Sequence, residues 1–288
     1  MKQLLILSGK GGTGKTSVAA AFIKLAGVKA CADCDVDAPN LHLAMGKLPP
    51  PLEKDFYGLD KAMINPALCT SCGICMEMCA FNAICEDFTV DPYGCEGCGL
   101  CMEFCPEKAI EMVPALAGKQ QLHVFEKVFS TARLETGSGN SGLLVMEVKK
   151  WMRQEAGDAP LALLDGSPGL GCPVIASLSG TDMVLVVTEP SVSGLSDMER
   201  ILTLTGTFHM KVAACINKYD LNPEKTLEIE EYCIKNDIFL AGTIPYDPLV
   251  AKAMDRGLTA VDIPCPGKEA MESVYHKTME YLYEEKQQ

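Results

Sequence analysis

Lys2-Gln3-Leu4-Leu5-Ile6-Leu7-Ser8-Gly9-Lys10-Gly11-Gly12-Thr13-Gly14-Lys15-Thr16 decides the fold. Lys2 to Ser8 is an apolar run of strand length, and an apolar helical stretch follows from Ser17 to Ala26. Between them Gly9 to Thr16 matches G-x4-GK[ST], and strand, glycine loop and helix is the context that gives this motif its meaning. Glycines let backbone N–H groups close around phosphate oxygens, and the helix N-terminus adds positive potential. Gly11, Gly12, Thr13, Gly14, Lys15, Thr16 and Ser17 are therefore the expected nucleotide contacts. Lys15 is expected to reach the outer phosphates, and the Thr16 hydroxyl to sit on Mg²⁺.

Outward from this loop, strand and helix patterns alternate through Lys2–Asp33 and again from Leu161 to the end. Buried-strand runs include Val28 to Asp33, Leu161 to Leu164, Met183 to Val187 and Val212 to Ile216. Alternation of this kind predicts an α/β fold, a mostly parallel sheet covered by helices on both faces.

The alternation is interrupted. Cys69-x2-Cys72-x2-Cys75-x3-Cys79 and Cys95-x2-Cys98-x2-Cys101-x3-Cys105 repeat one spacing at an interval of 26 residues. An extended piece precedes each run (Lys61 to Asn65, Phe88 to Asp91), and a short helical piece ending in Ala-Ile is expected to follow each (Ala83-Ile84, Ala109-Ile110). Thiolates at this spacing wrap cubane iron–sulfur clusters, and two such runs in tandem resemble a two-cluster ferredoxin, in which the fourth cysteine of each run ligates the other cluster. That resemblance implies two [4Fe-4S] clusters, one on Cys69, Cys72, Cys75 and Cys105, the other on Cys95, Cys98, Cys101 and Cys79. Proline follows the fourth cysteine as Pro106 but is replaced by Ala80 in the first run. Zinc on the CxxC pairs is the alternative. The expected organisation is 1–58 and 119–288 as two segments of one nucleotide domain, with 59–118 as a small α+β ferredoxin-like insert. Pro49-Pro50-Pro51 reads as a stiff stretch in the outgoing link.

The second lysine of the loop, Lys10, resembles the deviant phosphate loop of the MinD/Mrp/nitrogenase-iron-protein class of ATPases. The resemblance runs through essentially the whole chain and extends to the subgroup with an inserted ferredoxin domain, whose Arg133-Leu134 and Asn140-Ser141-Gly142 motifs are matched after the insert. Asn140 or Ser141 also reads as a cap for a helix from Leu143 to Gln154. The class implies ATP and Mg²⁺ as cofactors and a homodimer with nucleotide at its interface. Lys10 would then cross to the partner's nucleotide as a trans-acting cation. Asp33-Cys34-Asp35-Val36-Asp37 resembles the first switch, with Asp35 orienting the attacking water. Asp165-Gly166-Ser167-Pro168-Gly169 resembles the second, with Asp165 in the Mg²⁺ shell and the Gly169 N–H turned toward the γ-phosphate. Asn217, and Pro245 within Ile244-Pro245-Tyr246-Asp247, resemble the base-reading positions. Cys172, seven residues after Asp165, resembles a cluster-bridging cysteine of the nitrogenase iron protein and is a possible additional metal or cluster contact; a helix-start packing role is the alternative.

Composition bounds the function. A formal charge of −13 argues against nucleic acid. Fifteen cysteines with no export pattern argue for a reducing cytoplasm. From Lys268 onward three lysines face five glutamates, which does not favour a direct membrane anchor. Cys31, Cys215 and Cys233 read as buried small residues, and Cys34, Cys85 and Cys265 stay ambiguous. His42, His123, His209 and His276 form no ligand spacing. The expected function is ATP turnover coupled to iron–sulfur electron transfer during iron–sulfur or metallocofactor assembly, with a redox or assembly protein as partner. Two alternatives are an ATP-gated electron donor to a partner unrelated to assembly, and a MinD-like spatial organiser acting through a protein partner.

Overall fold

A computed structural model describes residues 1–284. Of the acidic tail, Glu285 and Lys286 lie outside the described residues.

In chain order the strands are β1 (Lys2–Leu7), β2 (Ala30–Asp33), β3 (Leu52–Tyr57), β4 (Lys61–Ile64), β5 (Ile110–Val113), β6 (Leu116–Val124), β7 (Val128–Leu134), β8 (Leu161–Asp165), β9 (Met183–Thr188), β10 (Lys211–Asn217) and β11 (Phe239–Ile244). The helices are α1 (Lys15–Ala26), α2 (Ile74–Met78), α3 (Leu100–Glu103), α4 (Ser141–Ala156), α5 (Cys172–Leu178), α6 (Val192–Gly206), α7 (Pro223–Lys235), α8 (Pro248–Met254) and α9 (Pro266–Tyr283).

One sheet runs β11-β10-β9-β1-β8-β2-β7-β6-β3. From β11 to β7 neighbouring strands are parallel, and β6 and β3 add an antiparallel edge. Parallel strands buried on both faces read as continuous apolar runs. Here Leu4 to Leu7 have no exposure, and alternate residues serve opposite cores. Leu5 and Leu7 join α4 residues Leu144, Val145 and Val148 on one face, while Leu4 and Ile6 join α1 residues Val18 and Phe22 on the other. This is the α/β architecture that the alternation predicts.

The antiparallel edge was not predicted. β3 and β6 pair in register from Leu52↔Leu122 to Tyr57↔Leu116, with an irregularity at Phe56/Tyr57. Leu116 to Gly118 therefore already belong to the large sheet. Between these strands β4 and β5 form a separate antiparallel pair. They enclose a small core of Ala62, Cys75, Ala83, Ile84, Cys95 and Ile110. Lys61 to Ile64 is extended as predicted, but Phe88 to Asp91 contributes only an isolated bridge, Ile84↔Val90, and the helices α2 and α3 lie inside the cysteine runs while Ile84 and Ile110 are extended. The predicted cap on α4 also differs: Asn140 holds the N-cap position at φ 74° and its side chain makes no capping bond.

Candidate functional site

The carboxyl ends of the parallel strands converge on one region, the place where open α/β sheets bind ligands. The loop after β1 contributes residues 9–14, β2 contributes Asp33, β8 Asp165, β9 the adjoining Glu189, and β10 Asn217. Gly14 precedes α1 at φ 92°, and a Cβ there would lie 2.2 Å from the Asn217 amide nitrogen. The close approach lets Asn217 Nδ2 donate to the Thr13 carbonyl at 2.7 Å, so in this structure Asn217 braces the loop. Pro245 follows β11 directly, and Asp247 caps α8.

Lys15 is buried with its ammonium 2.6 Å from Asp165 Oδ1 and 3.4 Å from the Thr16 hydroxyl. Burial works against the charge, but Asp165 outweighs it and raises the Lys15 pKa. The other Asp165 oxygen, Oδ2, is buried with no hydrogen-bond partner among the described residues, and so is the Thr13 hydroxyl. Such orphaned groups call for a ligand. Asp165, with its unpartnered oxygen, and the Thr16 hydroxyl both stand beside the Lys15 ammonium and are the oxygen donors Mg²⁺ takes, so these residues fit that ion.

Asp33 sits beside Asp165 in the β2–β8 register. Its carboxylate accepts from the backbone N–H groups of Asp35 at 3.0 Å and of Asn40 and Leu41 at 2.9 Å, which fixes the loop after β2. Burial, then the neighbouring Asp165, pushes Asp33 up to about 7. Asp35 is also buried, and burial raises its pKa. The Gly169 N–H donates to the Ser8 carbonyl at 3.0 Å and so faces the end of β1 in this conformation. Ser17 lies at the start of α1 with its hydroxyl 2.9 Å from Met254 Sδ.

Lys10 turns onto its own chain, with its ammonium 2.7 Å from Glu189 and donating to Ser193 at 2.9 Å and Ser191 at 3.2 Å. Lys218 binds the same Glu189 at 3.0 Å and the Gly12 carbonyl at 2.7 Å. Burial would raise the Glu189 pKa, but hydrogen bonds from Lys10 and Lys218 prevail and lower it. Sequence reasoning missed Glu189; its position just past the end of a buried strand was the available signal. Lys149 was missed as well. It stands on the apolar stripe of α4 between Val145 and Met152, is buried, and donates to the carbonyls of Ser177 and Ser179 and the Thr181 hydroxyl. It thereby satisfies the C-terminal end of α5, and burial holds its pKa down to about 8.

The cysteines sort into two groups. Cys69, Cys72, Cys75 and Cys105 line one cavity, and Cys79, Cys95, Cys98 and Cys101 line another. The fourth cysteine of each run thus faces the other run's cavity. Equivalent N–H groups meet the two fourth sulfurs: Ala83 N donates to Cys79 Sγ and Ala109 N to Cys105 Sγ, both at 3.3 Å. Gly73 and Gly99 open α2 and α3 at φ 81° and 75°, a left-handed conformation that glycine adopts without strain. Among the described residues no group of three His, Cys, Asp or Glu is placed to hold a single metal ion. Four thiols around each cavity, with amides aimed at the sulfurs, fit the donor chemistry of a cubane. Cys172 is exposed at the start of α5, against Gly142 of α4. Cys31, Cys34 and Cys215 are fully buried with thiols pushed by burial to about 12, which makes them packing residues. Cys233 is buried, Cys265 partly so, and Cys85 is exposed.

Comparison with known proteins agrees with this fold. A family model described as the CobQ/CobB/MinD/ParA nucleotide binding domain matches residues 4–260. An uncharacterized protein of Methanocaldococcus jannaschii is 29% identical over 291 residues, covering 97% of each chain. A protein named as a cytosolic Fe-S cluster assembly factor, the Nubp1 homolog of Drosophila pseudoobscura pseudoobscura, is 27% identical over 143 residues, 43% of this chain and 46% of its own. The structure of the septum site-determining protein MinD with Mg-ADP from Pyrococcus horikoshii superposes with a TM-score of 0.59 at 18% identity, over 98% of this chain and 97% of that one. MinD in the MinC:MinD cell division complex of Aquifex aeolicus gives 0.57 at 18% identity, over 97% and 96%. The match over residues 4–260 places this chain in the CobQ/CobB/MinD/ParA nucleotide-binding family.

Proposed function

We propose that this chain is a dimeric ATPase whose nucleotide state governs iron–sulfur electron transfer during iron–sulfur or metallocofactor assembly. Residues 1–58 and 116–288 form the ATPase, and 59–115 the two-cluster insert. The observation that carries the reading is the crossed sorting of eight cysteines into two four-thiol cavities. The similarity to a protein named as an Fe-S cluster assembly factor supports assembly as the setting. When bound, two cubanes would supply one-electron redox chemistry to a protein partner.

The residues of the nucleotide site supply the switch. Gly11 to Ser17 receive the phosphates, Thr16 and Asp165 hold Mg²⁺, and Asp35 orients the attacking water. An arriving phosphate competes with Asp165 for the Lys15 ammonium, because the two now share a 2.6 Å contact. Release of Asp165 is felt by its neighbour Asp33, which holds Asn40 and Leu41. In the dimer Lys10 leaves Glu189 and reaches the partner's nucleotide. Asn217 and Pro245 flank the base, and Cys172 lies close to the dimer axis.

The crossed cysteine sets give a direct test. After anaerobic reconstitution, Cys105→Ser should remove the same cluster signal as Cys69→Ser, and Cys79→Ser the same signal as Cys95→Ser. Sorting by run, with Cys79→Ser matching Cys69→Ser, would sink the assignment. The MinD fold neighbours favour a second reading, a spatial organiser acting through a protein partner. Among the described residues no helix is long and apolar enough to cross a membrane. Polar positioning of the chain in cells that persists when all eight cysteines are serine would favour that second reading.

A further inference from the structure

A cleft of about 1070 Å³ lies at the antiparallel edge of the sheet, outside the phosphate loop. It lies just above the roughly 300–1,000 Å³ range of small-molecule pockets. One wall is the loop from Asp37 to His42; the floor is the face of β6 and β7 that carries Lys119, Gln121, Thr131 and Arg133.

One buried feature of the floor calls for a ligand, and a second, the exposed Arg133, is free to serve one. Thr131 is 5% exposed, and its hydroxyl has no hydrogen-bond partner among the described residues although it lines a polar cleft. Buried hydroxyls are rarely left unpaired. Lys119 stands directly opposite Arg133 in the β6–β7 register, and like charges directly opposite destabilise a strand pair. Glu53 on β3 draws Lys119 at 3.5 Å. Arg133 makes no ion pair among the described residues. Two acids, Asp37 and Glu135, also line the cleft, one on the wall loop and one past the end of β7, and neither pairs with Arg133.

An anion on this floor would relieve both features at once. A guanidinium offers two parallel N–H groups to a carboxylate or phosphate, and the neighbouring hydroxyl donates a third bond. We infer that the cleft is a second ligand site, taking a small molecule through carboxylate or phosphate oxygens held by Arg133 and Thr131. Its place in the fold gives it reach. The wall residue Asn40 is held by Asp33 beside the nucleotide site, and the floor strand β6 pairs with β3, the two strands from which the cysteine-bearing segment departs and returns. The inference does not depend on the cysteines holding clusters.

Inorganic phosphate and citrate serve as probes of the two oxyanion classes. Each is titrated calorimetrically into Lys15→Gln protein, whose phosphate loop lacks its cation. Saturable binding of at least one probe is expected, weakened at least tenfold by Arg133→Gln and by a smaller factor by Thr131→Val. The tighter probe identifies the oxyanion class. A crystal of the unaltered chain soaked in the same probe provides a measurement that does not depend on the variant folding, with density expected against Arg133 and Thr131. Binding that is equal with and without Arg133→Gln overturns the inference, as does the lack of both heat and density at millimolar probe.

Discussion

The nucleotide site and the cysteine-bearing segment are built in opposite ways. Around the phosphate loop the charged groups rest on a large sheet: Leu4 to Leu7 are fully buried, Lys15 of α1 bonds Asp165 of β8, and Asp33 of β2 holds the loop that follows it. Between β3 and β6 only six residues form a buried cluster, two of them cysteines, while Phe81, Tyr93 and Phe104 remain 48%, 68% and 52% exposed. Apolar burial alone organises the first region. The second is of the size at which an apolar core alone is marginal, and Cys75 and Cys95 take two of the places in that core. The difference teaches that the sheet has a core of its own, and under the proposed function the insert would be the structure conditional on metal.

Variants that separate the two regions test this contrast. The largest effect is expected from Lys15→Met, which should lower ATP turnover on the order of 10³-fold or more in a steady-state phosphate-release assay and leave the insert's visible absorption unchanged. Lys10→Ala should cost about 10³-fold in turnover while ATP still binds, as for a trans-acting cation; equal loss of binding and turnover would return Lys10 to a role within its own loop. Iron chelation should make residues 59–115 protease-sensitive and leave ATP affinity within about twofold, since β1, β8 and β2 do not pass through that segment. Simultaneous loss of ATP binding would erase the distinction between the two regions.

Smaller effects sharpen the account of the scaffold. Asp33→Asn replaces a carboxylate that accepts three backbone N–H bonds, so urea unfolding should show a loss of about 1–3 kcal/mol. Lys149 contributes a pH dependence. Its folded pKa of about 8 lies below the ordinary 10.5, so the unfolded chain binds more protons between those values. Its contribution to stability therefore rises with pH through that window, and Lys149→Met should flatten the slope of unfolding free energy against pH there.

Much of this could be read in the sequence because the signals are local. Strand, glycine loop and helix lie within 25 residues, and the continuous apolar runs of β8 and β9 announce burial on both faces. The edge of the sheet was not legible. β6, Leu-Ala-Gly-Lys-Gln-Gln-Leu-His-Val, has weak strand propensity, and its partner β3 lies on the far side of the whole cysteine segment. The contacts of Lys10 were hidden for the same reason: Ser191 is 181 positions away. The crossed cysteine sets were implied by the ferredoxin resemblance that the repeated spacing carries, whereas the cleft over Arg133 and Thr131 exists only once β6 and β7 are paired.

The central claim is that nucleotide state reaches the cysteine-bound clusters. Its most direct test is an anaerobic measurement of cluster reduction potentials with no nucleotide, with ADP and with a non-hydrolysable ATP analogue. The account predicts a potential that differs between the ADP and ATP-analogue states and returns to one value in Lys15→Met. Identical potentials in all three states of the unaltered chain would contradict it.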